Sequence, residues 1–184
     1  MSETENFPSF VQNFFDNYYM KNAVLITIGD EILSGNTVDT NSNFIATELK
    51  NIGIKVSQIL TISDEIETIK NAIDSAFQIG DLIITTGGLG PTRDDKTKKA
   101  IAEFFNDEIA LDEVTFNHLK AYMERRGRLE ILERNREQAF VPTKSKVFQN
   151  HYGTAPCMMM EENGKLLFSL PGVPYEVKPL IKDQ

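Results

Sequence analysis

Tryptophan is missing from this 184-residue chain, and cysteine occurs once, at Cys157. A single thiol excludes an intrachain disulfide, so nothing ties the fold to an oxidising compartment, and the cytoplasm is the expected location. Long apolar runs are missing as well. No stretch approaches the ~18 residues a spanning helix needs, and the amino end shows neither the basic nor the apolar region of a signal peptide. No membrane partner is expected. Positive charge is scarce: 19 Lys and Arg against 27 Asp and Glu leave a net charge of −8. The longest basic run, Arg125-Arg126-Gly127-Arg128, is short. Nucleic acid is therefore excluded as a partner, because a phosphate backbone demands a basic face. An acidic chain that holds an anionic ligand must use backbone N–H groups, a few placed cations or a bound metal.

An apolar fraction of 41% suffices for one well-buried core, and the length suits one domain. Residues 1–19 form an extension of different character, in which Phe7, Phe10, Phe14 and Tyr18 fall at helical spacing. A short amphipathic helix docking on the domain or on a second subunit is the expectation there.

From residue 20 onward short apolar runs alternate with helical patterns, the signature of parallel strands joined by crossover helices. Strands are expected over residues 23–28, 54–62 and 81–86, and helices over 39–51 and 64–78, closed by Gly53 and Gly80. Beyond them, helices are expected over 94–105, 112–126 and 128–138. Residues 157–161 and 165–170 flank Asn163-Gly164, a hairpin signal. The predicted fold is thus a three-layer α/β/α domain over residues 20–184, its doubly wound and mostly parallel sheet ending in a late antiparallel hairpin.

Right-handed crossovers place the first strand between the second and third, and ligands collect at the carboxyl edge where the winding reverses. Two glycine-rich loops leave there: Gly29-Asp30-Glu31-Ile32-Leu33-Ser34-Gly35 and Thr85-Thr86-Gly87-Gly88-Leu89-Gly90-Pro91-Thr92. Three glycines in four residues let the second loop approach a ligand closely, and Thr86 and Thr92 add hydroxyls. Thr86, Gly87, Gly88, Gly90 and Thr92 are the candidate phosphate cradle. The bare pattern also fits a simple tight turn. Asp94 and Asp95 follow, and in a helix first turn they could merely complement the macrodipole. Facing a phosphate, they would instead need a divalent cation such as Mg²⁺, Mn²⁺ or Co²⁺ between them and it. Neighbouring helical residues point about 100° apart, so one of the two is expected to ligate the ion. The first loop offers Gly29, Asp30, Glu31, Ser34 and Gly35, with Asp39 and Asn41 opening the next helix as further wall residues. Asp39 also reads as an N-cap and Asn41 as a solvated first-turn residue.

These residues resemble the molybdopterin-binding superfamily, and within it the amino-terminal domain of the competence/damage-inducible CinA proteins. The resemblance rests on both glycine loops with Asp39-Thr40-Asn41, Asp94-Asp95 and Thr97, on Asn135 with Gln138-Ala139, on Gly153-Thr154-Ala155-Pro156, and on Leu170-Pro171-Gly172-Val173-Pro174 with Glu176. It implies a glycine loop that receives a phosphate or pyrophosphate, and subunits that form dimers or trimers. In the competence-type branch it implies a metal- and potassium-dependent pyrophosphatase that splits ADP-ribose into AMP and ribose 5-phosphate. Asp94 and Asp95 would then be catalytic and, with Glu31, metal-binding. Gly153, Thr154, Pro171 and Gly172 would shape the nucleotide end. Elsewhere in the superfamily the ligand is molybdopterin or its adenylylated form. The nicotinamide mononucleotide deamidase activity of the branch belongs to a separate domain that these residues do not include. One loop departs from the pattern: Asn150-His151-Tyr152 precedes Gly153 and Cys157 follows Pro156. Three functions are therefore carried forward: ADP-ribose hydrolysis, pterin binding with adenylyl transfer, and a non-catalytic binding or assembly module.

Overall fold

The computed structural model describes residues 20–91 and 95–183. The aromatic stripe of residues 1–19, and Thr92, Arg93 and Asp94, lie outside the described residues. Strands β1 (Asn22–Ile28), β2 (Lys55–Ile62), β3 (Leu82–Thr86) and β8 (Lys165–Leu170) run parallel. Strands β6 (Lys146–Phe148) and β7 (Cys157–Glu162) complete a six-stranded sheet in the order β2-β1-β3-β8-β7-β6, with β7 antiparallel to both its neighbours. β1 does lie between β2 and β3, so the winding reverses where the sequence places it. β1 is buried at every position after Asn22 and β3 throughout, as expected of strands covered on both faces.

On one face, α2 (Thr40–Asn51) and α7 (Pro174–Asp183) bring Ile45, Leu49 and Val177 onto Leu25, Leu82 and Leu166. On the other, α3 (Ile66–Ile79) and α4 (Thr97–Phe104) bring Ile69, Ile73, Ala100 and Ile101 onto Ile26, Ile83 and Leu167. Phe77 stacks on Phe104 and meets Phe105 edge-on, which locks α3 to α4. The β7–β8 hairpin turns through Asn163 (φ 52°) and Gly164 (φ 76°), the pair of positive angles its sequence requires.

Some elements differ from expectation. Residues 30–33 form α1 (Asp30–Leu33), a single turn inside the expected loop. The helix expected over 128–138 is three short pieces: turns of 3-10 helix at Leu129–Ile131 and Arg136–Ala139 flank α6 (Leu132–Asn135). α5 (Glu113–Arg125) is as expected, with Asp112 as its N-cap. A separate two-stranded ribbon, β4 (Ile109–Leu111) with β5 (Phe140–Pro142), was invisible in the sequence because three-residue strands carry no readable alternation. No helix of the described residues is long and apolar enough to cross a membrane.

Candidate functional site

The second glycine loop leaves β3 between β1 and β8. Gly87 (φ 103°) and Gly88 (φ 65°) adopt backbone angles that favour glycine. The Gly87 N–H donates to the Leu170 carbonyl at 3.1 Å. A β-carbon on Gly87 would lie 2.1 Å from the Ile28 carbonyl oxygen, and one on Gly88 would lie 2.0 Å from Thr97 Oγ1. Thr97 in turn donates its hydroxyl to the Gly87 carbonyl (3.1 Å) and its N–H to the Gly88 carbonyl (3.3 Å). The loop carbonyls therefore absorb the start of α4. The helix begins at Thr97 and not at residue 94, and Asp95 precedes it; its expected place in the helix first turn is corrected.

Asp95 instead folds back on the loop, where its Oδ1 accepts the Gly90 N–H at 2.7 Å. Two loop donors, at Gly87 and Gly90, are thus used within the protein. Those of Gly88 and Leu89 donate to no acceptor among the described residues.

Asp64, which the sequence reading did not single out, lies against Gly88. Its Oδ1 is buried without a hydrogen-bond partner and stands 3.1 Å from the position a β-carbon on Gly88 would take. Burial, then the charge of Asp30, raise its pKa; Glu31 and Asp95 add to the rise, and the Asp30 amide opposes it. The Asp30 amide and Gly88 both lie against this one carboxylate, so the two loops adjoin it. The periodicity of residues 64–78 assigned Asp64 to a helix that starts at Ile66. The usable signal was topological, since the loop after β2 leaves the sheet at the same carboxyl edge.

Lys98 is the second residue missed. It is 8% exposed and donates to the Glu137 carbonyl at 2.6 Å. Burial lowers its pKa to about 8, against the attraction of Glu137 and Asp95. Between that value and 10.5 the unfolded chain binds more protons than the folded one, so stability should rise with pH across this window. Lys98→Met should flatten the rise and stabilise the protein at pH 7 by on the order of 2 to 3 kcal/mol, after allowing for the lost bond to Glu137. Urea denaturation at pH 7 and pH 10 measures both effects.

The wall on the α2 side is mostly structural. Asp39 caps α2 through Ser42 N–H (3.0 Å) and accepts the Thr27 hydroxyl (2.6 Å). Burial opposes its ionisation, but the bonds from Ser42 and Thr27 outweigh it and hold its pKa below the ordinary value. Asn41 is not the solvated residue expected: it is buried, and its Nδ2 donates to the Gly172 carbonyl at 2.8 Å. Asn41 Oδ1 and Thr86 Oγ1 are buried without partners on this side. Ser34 and Gly35 are exposed, while Glu31 is an exposed carboxylate whose oxygens stand over Gly29.

The Pro171-Gly172 loop presses on the glycine loop, since a β-carbon on Gly172 would stand 3.2 Å from Gly87 Cα. Gly153 lies against the buried carboxylate of Glu176, and Thr154 is half-buried beside it. Gly172 thus adjoins the glycine loop, and Gly153 adjoins Glu176. Burial pushes the Cys157 thiol up to about 12, so it is a packing residue and no nucleophile. His151 is exposed, but its ring lies 4.8 Å from that of His118.

A mostly parallel sheet whose winding reversal carries a glycine loop, with carboxylates around it, defines an α/β domain with a candidate ligand site at its carboxyl edge. Residues 24–184 match the family described as "Probable molybdopterin binding domain", and the chain belongs to that family. It is similar to CinA-like proteins, with 43% identity over 162 residues to one of Flavobacterium psychrophilum and 42% over 161 to one of Cytophaga hutchinsonii. Each of these alignments covers 88% of this chain, and the chain spans 39% and 38% of the respective relatives. Among solved structures, protein CinA of unknown function from Thermoplasma acidophilum superposes with a TM-score of 0.80 at 34% identity, over 89% of this chain and 95% of that one. The molybdopterin biosynthesis enzyme MoaB from Thermus thermophilus shares the fold at TM-score 0.58 and 19% identity, over 89% of this chain and 88% of that one.

Proposed function

We propose that this domain binds a phosphorylated pterin, molybdopterin or its adenylylated form, with the phosphate on the Gly88 and Leu89 amides, and that it serves adenylyl transfer there. The family match and the MoaB likeness support the ligand class. The observation that carries the site is the buried, unpartnered Asp64 oxygen facing Gly88, with Asp95 closing the loop at Gly90. Backbone amides bind the anion without adding a basic residue, which suits a chain of net charge −8.

Carboxylates beside a phosphate fit a divalent cation. Among the described residues no three Asp, Glu, His or Cys side chains converge to enclose an ion, and Asp94, one of the expected ligands, lies outside them. Mg²⁺, however, is commonly held by one or two carboxylates completed by ligand phosphates and water. Asp64 and Asp95 would hold it, with Glu31 a further candidate, and it would neutralise charge and polarise the phosphoryl group. The chain's own residues orient the phosphate through two amides, and Gly87 and Thr97 fix the loop before ligand arrives, so that little reorganisation accompanies binding.

A second reading is hydrolysis of ADP-ribose: water adds across the P–O–P bond and yields AMP and ribose 5-phosphate. The acids that surround Asp64 support it, since a carboxylate with a raised pKa can take a proton from the attacking water. Incubation with molybdopterin and ATP, and separately with ADP-ribose, across Mg²⁺, Mn²⁺ and Co²⁺ and with or without potassium, distinguishes the readings. AMP attached to pterin with release of pyrophosphate from ATP supports transfer, and AMP released from ADP-ribose supports hydrolysis. Ligand-induced stabilisation without turnover supports a binding module, and no response to either ligand overturns the proposal.

A further inference from the structure

Behind the glycine loop lies a buried pair that the proposed chemistry does not use. Asn150, 2% exposed, donates through Nδ2 to Glu176 Oε2 at 2.6 Å and to the Ala155 carbonyl at 2.9 Å. Its Oδ1 accepts the N–H groups of Tyr152 (2.9 Å) and Gly153 (3.0 Å). Both amide hydrogens and the carbonyl of Asn150 are therefore committed to one loop and one helix. Glu176 is 6% exposed and in no ion pair among the described residues. Burial raises its pKa, while Asn150 and Tyr175 oppose the rise. A buried carboxylate without a cation is a weak source of stability compared with an apolar side chain of the same size, so its presence calls for another explanation.

The contacts of this pair close a ring through the cradle. Asn150 holds the Ala155 carbonyl, and the Ala155 side chain belongs to the cluster that packs Leu89 against Val141 and Met158. Leu89 follows Gly88, and Gly87 abuts Gly172. Gly172 precedes α7, whose first turn carries Glu176, and Glu176 returns to Asn150. At Gly153 a β-carbon would lie 2.0 Å from Glu176 Oε2, so the loop sits directly on the carboxylate.

We propose that Asn150 and Glu176 are positioning residues that set the Gly88 and Leu89 amides against a bound phosphate, an inference that rests on the cradle reading above. The probe is inorganic pyrophosphate with Mg²⁺ present, titrated calorimetrically at pH 7.5 into the wild type, Asn150→Asp, the double variant Asn150→Asp/Glu176→Gln, and Ala155→Gly. Asn150→Asp turns a donor toward two acceptors into a carboxylate facing them, and misplacement of the loop should weaken pyrophosphate binding by about tenfold or more. The double variant returns a donor to the link between residues 150 and 176 but not to Ala155, and should recover part of that loss. Ala155→Gly breaks the ring at Leu89 without touching the polar pair and should weaken binding less than Asn150→Asp does. Circular dichroism establishes folding, and if Asn150→Asp does not fold, Ala155→Gly decides. A wild type that does not bind pyrophosphate overturns the cradle and this proposal with it. A binding wild type matched by folded Asn150→Asp, a double variant without recovery, or an unaffected Ala155→Gly overturns the positioning role alone.

Discussion

Gly87→Ala should destabilise the domain on the order of 3 to 5 kcal/mol and abolish ligand binding. The residue has φ 103°, where an L side chain is strained. Its β-carbon would stand 2.1 Å from the Ile28 carbonyl oxygen, inside any permitted contact. Neither neighbour can give way cheaply. Ile28 ends β1, which is paired on both edges, and a β-carbon on Gly172 would already stand 3.2 Å from the Gly87 α-carbon. The loop must therefore leave the sheet, and with it the Leu170 carbonyl loses the Gly87 N–H. Gly164→Ala is the matched control. That glycine also has positive φ, 76°, but nothing lies within 4 Å of its would-be side chain. It should cost only the local conformational strain, about 1 to 2 kcal/mol. A urea midpoint for each variant makes the comparison, and equal losses would show that the contact with Ile28 does not matter.

The sheet was legible because its information is local and repeated. Residues 23–28 are apolar but for Thr27, residues 82–84 are Leu-Ile-Ile, and Asn163-Gly164 names its own turn. The winding reversal followed from the right-handed crossover rule, and it brought residues 29–35 and 86–90 together without any contact being known. Legibility failed wherever a residue's role depends on distant partners. Asp64 looked like a helix residue, and only the position of Gly88 makes its oxygen an orphan. Lys98 carries no distinguishing signal in the sequence, and its burial depends on the turn that carries Glu137. Asp39 read as an N-cap and does cap α2, whereas Asn41 read as a solvated first-turn residue and is buried under Gly172. Asn150 stood out in the sequence as a departure at the Gly153 loop, but its four hydrogen bonds required the fold.

Asp64→Asn should have opposite effects with and without a divalent cation. Asp64 has a raised pKa, so any stability linked to its titration is greatest below its unfolded value and is lost as pH rises through the folded one. At neutral pH without cation, the ionised group is pressed by Asp30, Glu31 and Asp95, and an isosteric amide removes that repulsion. The variant should therefore melt at a higher temperature than the wild type in chelator, and its melting temperature should change less with pH between 4 and 7. Adding Mg²⁺ with pyrophosphate should reverse the order. The wild type gains a charge that answers its own carboxylates, whereas the amide offers a weaker ligand, and affinity for the pair should fall by roughly a hundredfold. Asp95→Asn provides the contrast, because its amide oxygen can still accept the Gly90 N–H that Asp95 Oδ1 accepts. That variant should keep the loop and lose the cation response. If both variants retain the wild-type melting shift with Mg²⁺ and pyrophosphate, the carboxylates do not hold the ion, and the acids around Gly88 must be assigned another role.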